Sequence, residues 1–242
     1  MFDPEKVPVK GKVTDITVPI SSLTPIFPGD PEPSIEMTCT LEKDGCAVSR
    51  LSFGSHTGTH VDAPSHILKD GFSVDRLDIE SLMGKAVVLD FSQRNGALTD
   101  YILDEAYNDR KITESVPILL LKTRFSFRKG IHPESSGLQE EESDKEKEPE
   151  EPLEESVYLD AGAASWIVRN GFKTVGTDGF SVDNLSSEVL PAHHTLLSNN
   201  VNIVECLDLS AIETGIYFFL CLPLKIDGCD GAPARALLIS YS

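Results

Sequence analysis

Residues 55–66, SHTGTHVDAPSH, hold three of the chain's six histidines together with an aspartate. Neutral imidazole nitrogens and a carboxylate oxygen are ligands that Zn²⁺ accepts readily, and Mn²⁺ or Fe²⁺ can use the same set. In an extended chain alternate side chains share a face, so His56, His60, Asp62 and His66 would all point the same way. Gly58 and Pro64 argue against a helix here, which separates the segment from the helical H-E-x-x-H arrangement despite the equal spacing of His56 and His60. A lone histidine on a strand is ordinarily a satisfied polar residue. Three histidines and an aspartate at one parity read instead as a convergent ligand set.

Further ligands must come from elsewhere, and the remaining histidines are His132, His193 and His194. His132 borders an acidic run and reads as a surface residue. His193 and His194 are neighbours in an expected helix, where successive side chains splay about 100° apart, so only one of them faces a metal. Glu205 lies inside the apolar run NIVECLDL. An unpaired carboxylate is costly to bury there, a cost that a bound cation or an outward-facing position would each resolve.

The elements that must position these groups are legible in outline. Runs rich in β-branched and aromatic residues predict strands over 12–20, 85–92, 116–123, 172–178, 202–209 and 215–224. Helical patterns lie between them, over 98–110, 159–171 and 186–200. Near-continuous apolar strands such as VPILLLKT suit a sheet covered on both faces, so the fold class is α/β. The chain of 242 residues is expected to form one domain. DGFSVD occurs twice, at 70–75 and 178–183, without wider similarity, and reads as two coincident turn segments.

Apolar residues make up 40% of the chain and charged residues 25%, ordinary values for a globular protein. The net charge is −18, and the acidic segment 139–156, with ten acidic and two basic residues, supplies −8 of it. That segment has almost nothing to bury and is expected to be a disordered insertion. The overall charge disfavours nucleic acid and anionic membranes as partners. The polar N-terminus lacks the apolar run of a secretory signal, the longest apolar stretch is too short to span a bilayer, and the five cysteines form no C-x-x-C pair. A cytoplasmic protein with reduced thiols is expected.

HTGTHVDAPSH matches H-x-G-T-H-x-D-x-P-x-H, and on it the chain resembles the cyclase family of metal-dependent hydrolases, which includes bacterial kynurenine formamidase (arylformamidase) and isatin hydrolase. The stretches at 15–30, 175–185, 192–207 and 222–237 follow the family's order. The resemblance implies a three-layer swivelling β/β/α domain that assembles as a homodimer or homotetramer. By position it implies that His56, His60 and Asp62 bind one metal, that Asp62 bridges to a second held by His193 and Glu205, and that His66 is the catalytic acid/base. The family's substrate-side aromatic falls on Phe27, a phenylalanine where tryptophan is usual. The acidic insertion is a second departure.

The chemistry implied is hydrolysis of a small-molecule amide with one or two Zn²⁺ ions, or Mn²⁺, as cofactor. An N-formyl arylamine such as N-formyl-L-kynurenine is the first substrate expected. A cyclic amide such as isatin, another small carbonyl compound, or metal binding without catalysis are the alternatives. The chain has no G-x-S-x-G elbow, no G-x-G-x-x-G and no Walker A pattern, which disfavours serine hydrolase, dinucleotide and NTP chemistry.

Overall fold

A computed structural model describes residues 11–123 and 156–241. His132 and the acidic segment up to residue 155 lie outside the described residues. In chain order the elements are β1 (Val13–Asp15), β2 (Ser34–Cys39), α1 (Leu41–Asp44), β3 (Val48–Ser52), β4 (His60–Asp62), β5 (Met83–Asp90), β6 (Gly96–Leu98), α2 (Asp100–Asn108), β7 (Ile118–Lys122), β8 (Val157–Leu159), α3 (Ala161–Arg169), β9 (Thr174–Thr177), α4 (Pro191–Ser198), β10 (Asn202–Glu205), β11 (Gly215–Pro223) and β12 (Gly231–Ser240).

The strands β5, β7, β9 and β10 run parallel, and β11, β12 and β4 continue the same sheet antiparallel. Because β12 pairs with β11 along one edge and with β4 and β1 end to end along the other, the sheet closes on itself. Residues 231–233 of β12 oppose β4, while its last residues oppose β1.

Alternation along the central strands divides the apolar side chains between two cores. Val87, Leu89, Leu119 and Leu121 pack outward against Leu103, Ala163, Trp166 and Leu196 of the helices. Ala86, Val88, Ile118 and Leu120 point inward against Phe219 and the alanines of β12. Helices, one wall of the sheet and the opposite wall thus form three layers, the α/β arrangement expected. Leu120 is fully buried, and cutting it back to alanine would cost about 2–5 kcal/mol.

The expected helices are present but shorter, and their caps explain where they begin. Thr99 Oγ1 accepts from Ile102 N at 3.3 Å, and Asp160 Oδ1 accepts from Ala163 N at 2.7 Å. The third helix starts at Pro191 rather than at 186, because a residue before proline is pushed out of the helical region, and Leu190 has φ −115° and ψ 68°. Strand β10 ends at Glu205 rather than at 209, because Cys206 takes a left-handed φ of 58° and turns the chain.

Several elements were not expected, among them α1 and the short parallel pair β6–β8. Strand β12 carries small residues, Ala232, Ala234 and Ala236, which fit the inside of a closed sheet but give little strand signal. The β2–β3 hairpin projects apolar side chains into solvent, with Ile35, Met37 and Leu51 more than half exposed. The described cysteines are all free, and no described helix is long and apolar enough to cross a membrane.

Candidate metal centre

The 55–66 segment is not extended throughout, which corrects the single-face reading of its histidines. Only His60–Asp62 is strand, where the two-residue spacing puts His60 and Asp62 on one buried face. Before it, Gly58 at φ 64° turns the chain, a conformation glycine adopts without a Cβ penalty. After it, Pro64–His66 forms a 3₁₀ turn. These two turns, rather than strand parity, bring His56 and His66 back toward the strand, with ring centroids 4.1 Å apart.

Thr59 anchors this path. Its hydroxyl accepts from Val18 N at 2.8 Å and donates to the Cys206 carbonyl at 2.6 Å. Across the antiparallel β10–β4 pair, Glu205 is the register partner of His60. The sharp turn at Cys206 follows directly after Glu205.

The donor atoms converge. Asp62 Oδ1 is 2.8 Å from His56 Nδ1 and 3.3 Å from His60 Nε2, and Asp62 Oδ2 is 3.3 Å from His193 Nε2. Glu205 places Oε2 3.5 Å from His60 Nε2 and Oε1 3.5 Å from His193 Nε2. Close as they are, these atoms do not align as hydrogen bonds. Asp62 Oδ1, Asp62 Oδ2 and His60 Nε2 are buried with no hydrogen-bond partner. Buried polar atoms are rarely left so, whereas donors around a tetrahedral Zn²⁺ with bonds of about 2.0–2.1 Å stand about 3.3 Å from one another. The residues fit a divalent cation. They form two overlapping groups, His56–His60–Asp62 and Asp62–His193–Glu205, with Asp62 common to both, and a third, more exposed group, His56–His66–Asp230, adjoins them.

The second nitrogen of each imidazole is also engaged. His60 Nδ1 meets the Gly58 carbonyl at 2.8 Å, His193 Nδ1 meets Asp183 Oδ2 at 2.7 Å, and His56 Nε2 meets Asp230 Oδ2 at 3.1 Å. Such outer acceptors fix the tautomer and ring orientation of metal-bound histidines. Asp183 does more, because its two oxygens also accept from Ala192 N and His193 N at 2.8 and 2.9 Å. It therefore caps α4 from the loop that leads into it while aiming the first-turn histidine. His194, the next residue, is exposed, so His193 is the one directed inward.

Without a cation the cluster attracts protons. Burial pushes the His193 imidazole down, but Asp183 and Asp62 outweigh it and lift it to about 10. His60 is likewise raised against its burial by Asp62 and Glu205, and Asp62 is held well below the carboxylate range by the surrounding imidazoles despite its burial. A cation bound here would displace those protons. His66 behaves oppositely. Burial pushes it down and His56 and His193 add to that, so it favours the neutral ring.

Phe27 is not brought into this cluster. It sits in the turn closed by Asp30 N to the Phe27 carbonyl at 3.0 Å, is 41% exposed, and makes no ring contact with the histidines among the described residues. Asp183 and Asp230 escaped the sequence reading because an aspartate before asparagine or glycine looks like a turn former. The second DGFSVD was the available signal. Its Asp178 accepts from Thr123 N and Oγ1, and its Asp183 supports His193, so it buttresses the site rather than merely turning the chain.

The family described as "Putative cyclase" matches residues 14–184. The kynurenine formamidase of Salinibacter ruber is 34% identical over 230 residues, covering 93% of this chain and 95% of its own. A structure described as a predicted metal-dependent hydrolase from Bacillus stearothermophilus is 28% identical with a TM-score of 0.72, covering 94% of this chain and 98% of that one. An isatin hydrolase bound to the product analogue thioisatinate shares the fold, with a TM-score of 0.78 at 22% identity over 96% of this chain and 93% of that one. The chain belongs to the cyclase family.

Proposed function

We propose that this chain is a metal-dependent amide hydrolase that removes the formyl group of an N-formyl arylamine, with N-formyl-L-kynurenine as the first substrate to test. The observation that carries the reading is the buried set of His60 Nε2 and both Asp62 oxygens, which lack hydrogen-bond partners beside His193 and Glu205. His56, His60 and Asp62 would hold one ion, and Asp62, His193 and Glu205 a second. Zn²⁺ suits these nitrogen and oxygen donors, and Mn²⁺ is the alternative. A divalent cation there supplies the means to lower the pKa of water and polarise the formyl carbonyl.

His66 supplies the proton traffic. Its neutral ring takes a proton from the attacking water as the new C–O bond forms, and returns it to the departing nitrogen as the C–N bond breaks. Formate and the free aryl amine are the products. Phe27 is assigned to the aromatic end of the substrate. The working unit is one hydrolase domain over 1–242 with an insertion at 139–156. It is assigned to the cytoplasm as a homodimer or homotetramer, and the exposed apolar hairpin β2–β3 supports an assembled state.

The test pairs elemental analysis of the purified protein with assays on N-formyl-L-kynurenine and isatin. One or two zinc or manganese ions per chain and release of formate are expected. Turnover of isatin alone would move the substrate to cyclic amides. A chain without bound metal that cleaves neither compound would overturn the reading. His66→Ala is expected to lose about 10²–10⁴-fold in kcat while keeping its metal.

A further inference from the structure

Among the three outer acceptors, Asp230 differs in meeting a second histidine. The Oδ2 atom that lies 3.1 Å from His56 Nε2 also lies 3.7 Å from His66 Nδ1. The longer contact exceeds a hydrogen bond, as catalytic contacts often do before substrate arrives. The backbone holds the carboxylate in place. Ala63 N donates to the Asp230 carbonyl at 2.9 Å, and Val74 N donates to the Cys229 carbonyl at 2.8 Å. Gly231 follows, and a Cβ there would stand 2.8 Å from His56 Cε1, so the chain lies flat against the ring.

A carboxylate can only accept from His56, so Nε2 carries the proton and the Nδ1 lone pair is left facing Asp62. The same preference at His66 puts its proton on Nδ1 and leaves Nε2 as the base. We propose that Asp230 is a positioning residue whose single oxygen orients a metal ligand, His56, and the proton carrier, His66, together. This rests on the roles given to those histidines above.

The experiment compares the parent with Asp230→Asn and Asp230→Glu, in the wild-type and His66→Ala backgrounds. Zinc affinity is read by competition with a chromophoric chelator, and kcat and KM are read on N-formyl-L-kynurenine. Asp230→Asn is expected to weaken zinc binding about tenfold or more and to lower kcat about 10–100-fold, with KM changed less than twofold. Asp230→Glu should restore part of both. In the His66→Ala background the Asn change should still weaken zinc but lower kcat no further.

Parent zinc affinity or parent kcat in Asp230→Asn would overturn the proposal, as would unfolding of that variant when zinc-free, which would mark a purely structural role. A parent chain that binds zinc but cleaves no substrate would sink the hydrolase reading alone. The zinc measurement would then still decide whether Asp230 orients His56.

Discussion

Glu205 stands directly opposite His60 in the register of β10 and β4, with its Oε2 3.5 Å from His60 Nε2. A ladder pairing that would ordinarily match two apolar or two oppositely charged side chains here sets two candidate metal donors face to face. Emptying the site leaves these groups and Asp62 buried without a neutralising ion. The chain saturated with Zn²⁺ at a thousandfold excess over Kd is expected to gain about 4 kcal/mol. For a chain of this size that is roughly 10 °C in Tm. Calorimetry on chelated and zinc-loaded protein measures it, and identical melting would remove the cation from the account.

Asp183 and His194 provide a paired control. Asp183→Ala removes the acceptor of His193 Nδ1 and the cap of α4. It should cost about 1–2 kcal/mol of stability and about 10–100-fold in metal affinity. His194→Ala, on the exposed side of the same turn, should change stability by less than about 0.5 kcal/mol and leave metal binding alone. Equal metal loss in both variants would reverse the choice between the two histidines.

Gly231→Ala tests how closely backbone and ring approach. The added methyl meets His56 Cε1 at 2.8 Å and the Val61 carbonyl at 3.0 Å, so the ring must shift from Asp62. Metal affinity should fall at least tenfold while the outer helices keep their packing. Unchanged zinc binding by isothermal titration would show that the ring has room.

Asp178 gives a pH dependence separate from the metal groups. Burial lifts its carboxyl to about 7, against the opposing pull of Thr123 and Lys122. In the unfolded chain the value is about 4. The folded protein therefore binds the extra proton between these values, so the group's contribution is fully present below about 4 and is lost as pH rises through 7. Asparagine does not titrate. From pH 5 to pH 8 the stability difference should move toward Asp178→Asn by roughly 3 kcal/mol. Urea unfolding of both proteins at the two pH values reads the shift, and a constant difference would mean that Asp178 stays ionised.

The candidate ligands on β4 were legible because residue type and spacing alone mark them. How they converge was not, since a positive φ at Gly58 and the 3₁₀ turn at Pro64 replace the extended path. Glu205 could be shortlisted from its apolar run and His193 with His194 from the remaining histidines; the family resemblance singled out His193, and the physical reason lies in the place where α4 begins, which Pro191 and a carboxylate eight residues earlier determine together. Asp230 and His56 are 174 residues apart, a separation that no local pattern expresses. The central apolar strands announced themselves. The alanine-lined β12 did not, because its fit depends on the tight interior it closes.

That closure also ties the front of the chain to its end. The final strand seals the ring against β4 and delivers Gly231 and Asp230 to His56. A chain cut short of residue 231 would leave β4 with β10 as its one neighbour, and the flank of the histidine turn that β12 now covers would lie open to water.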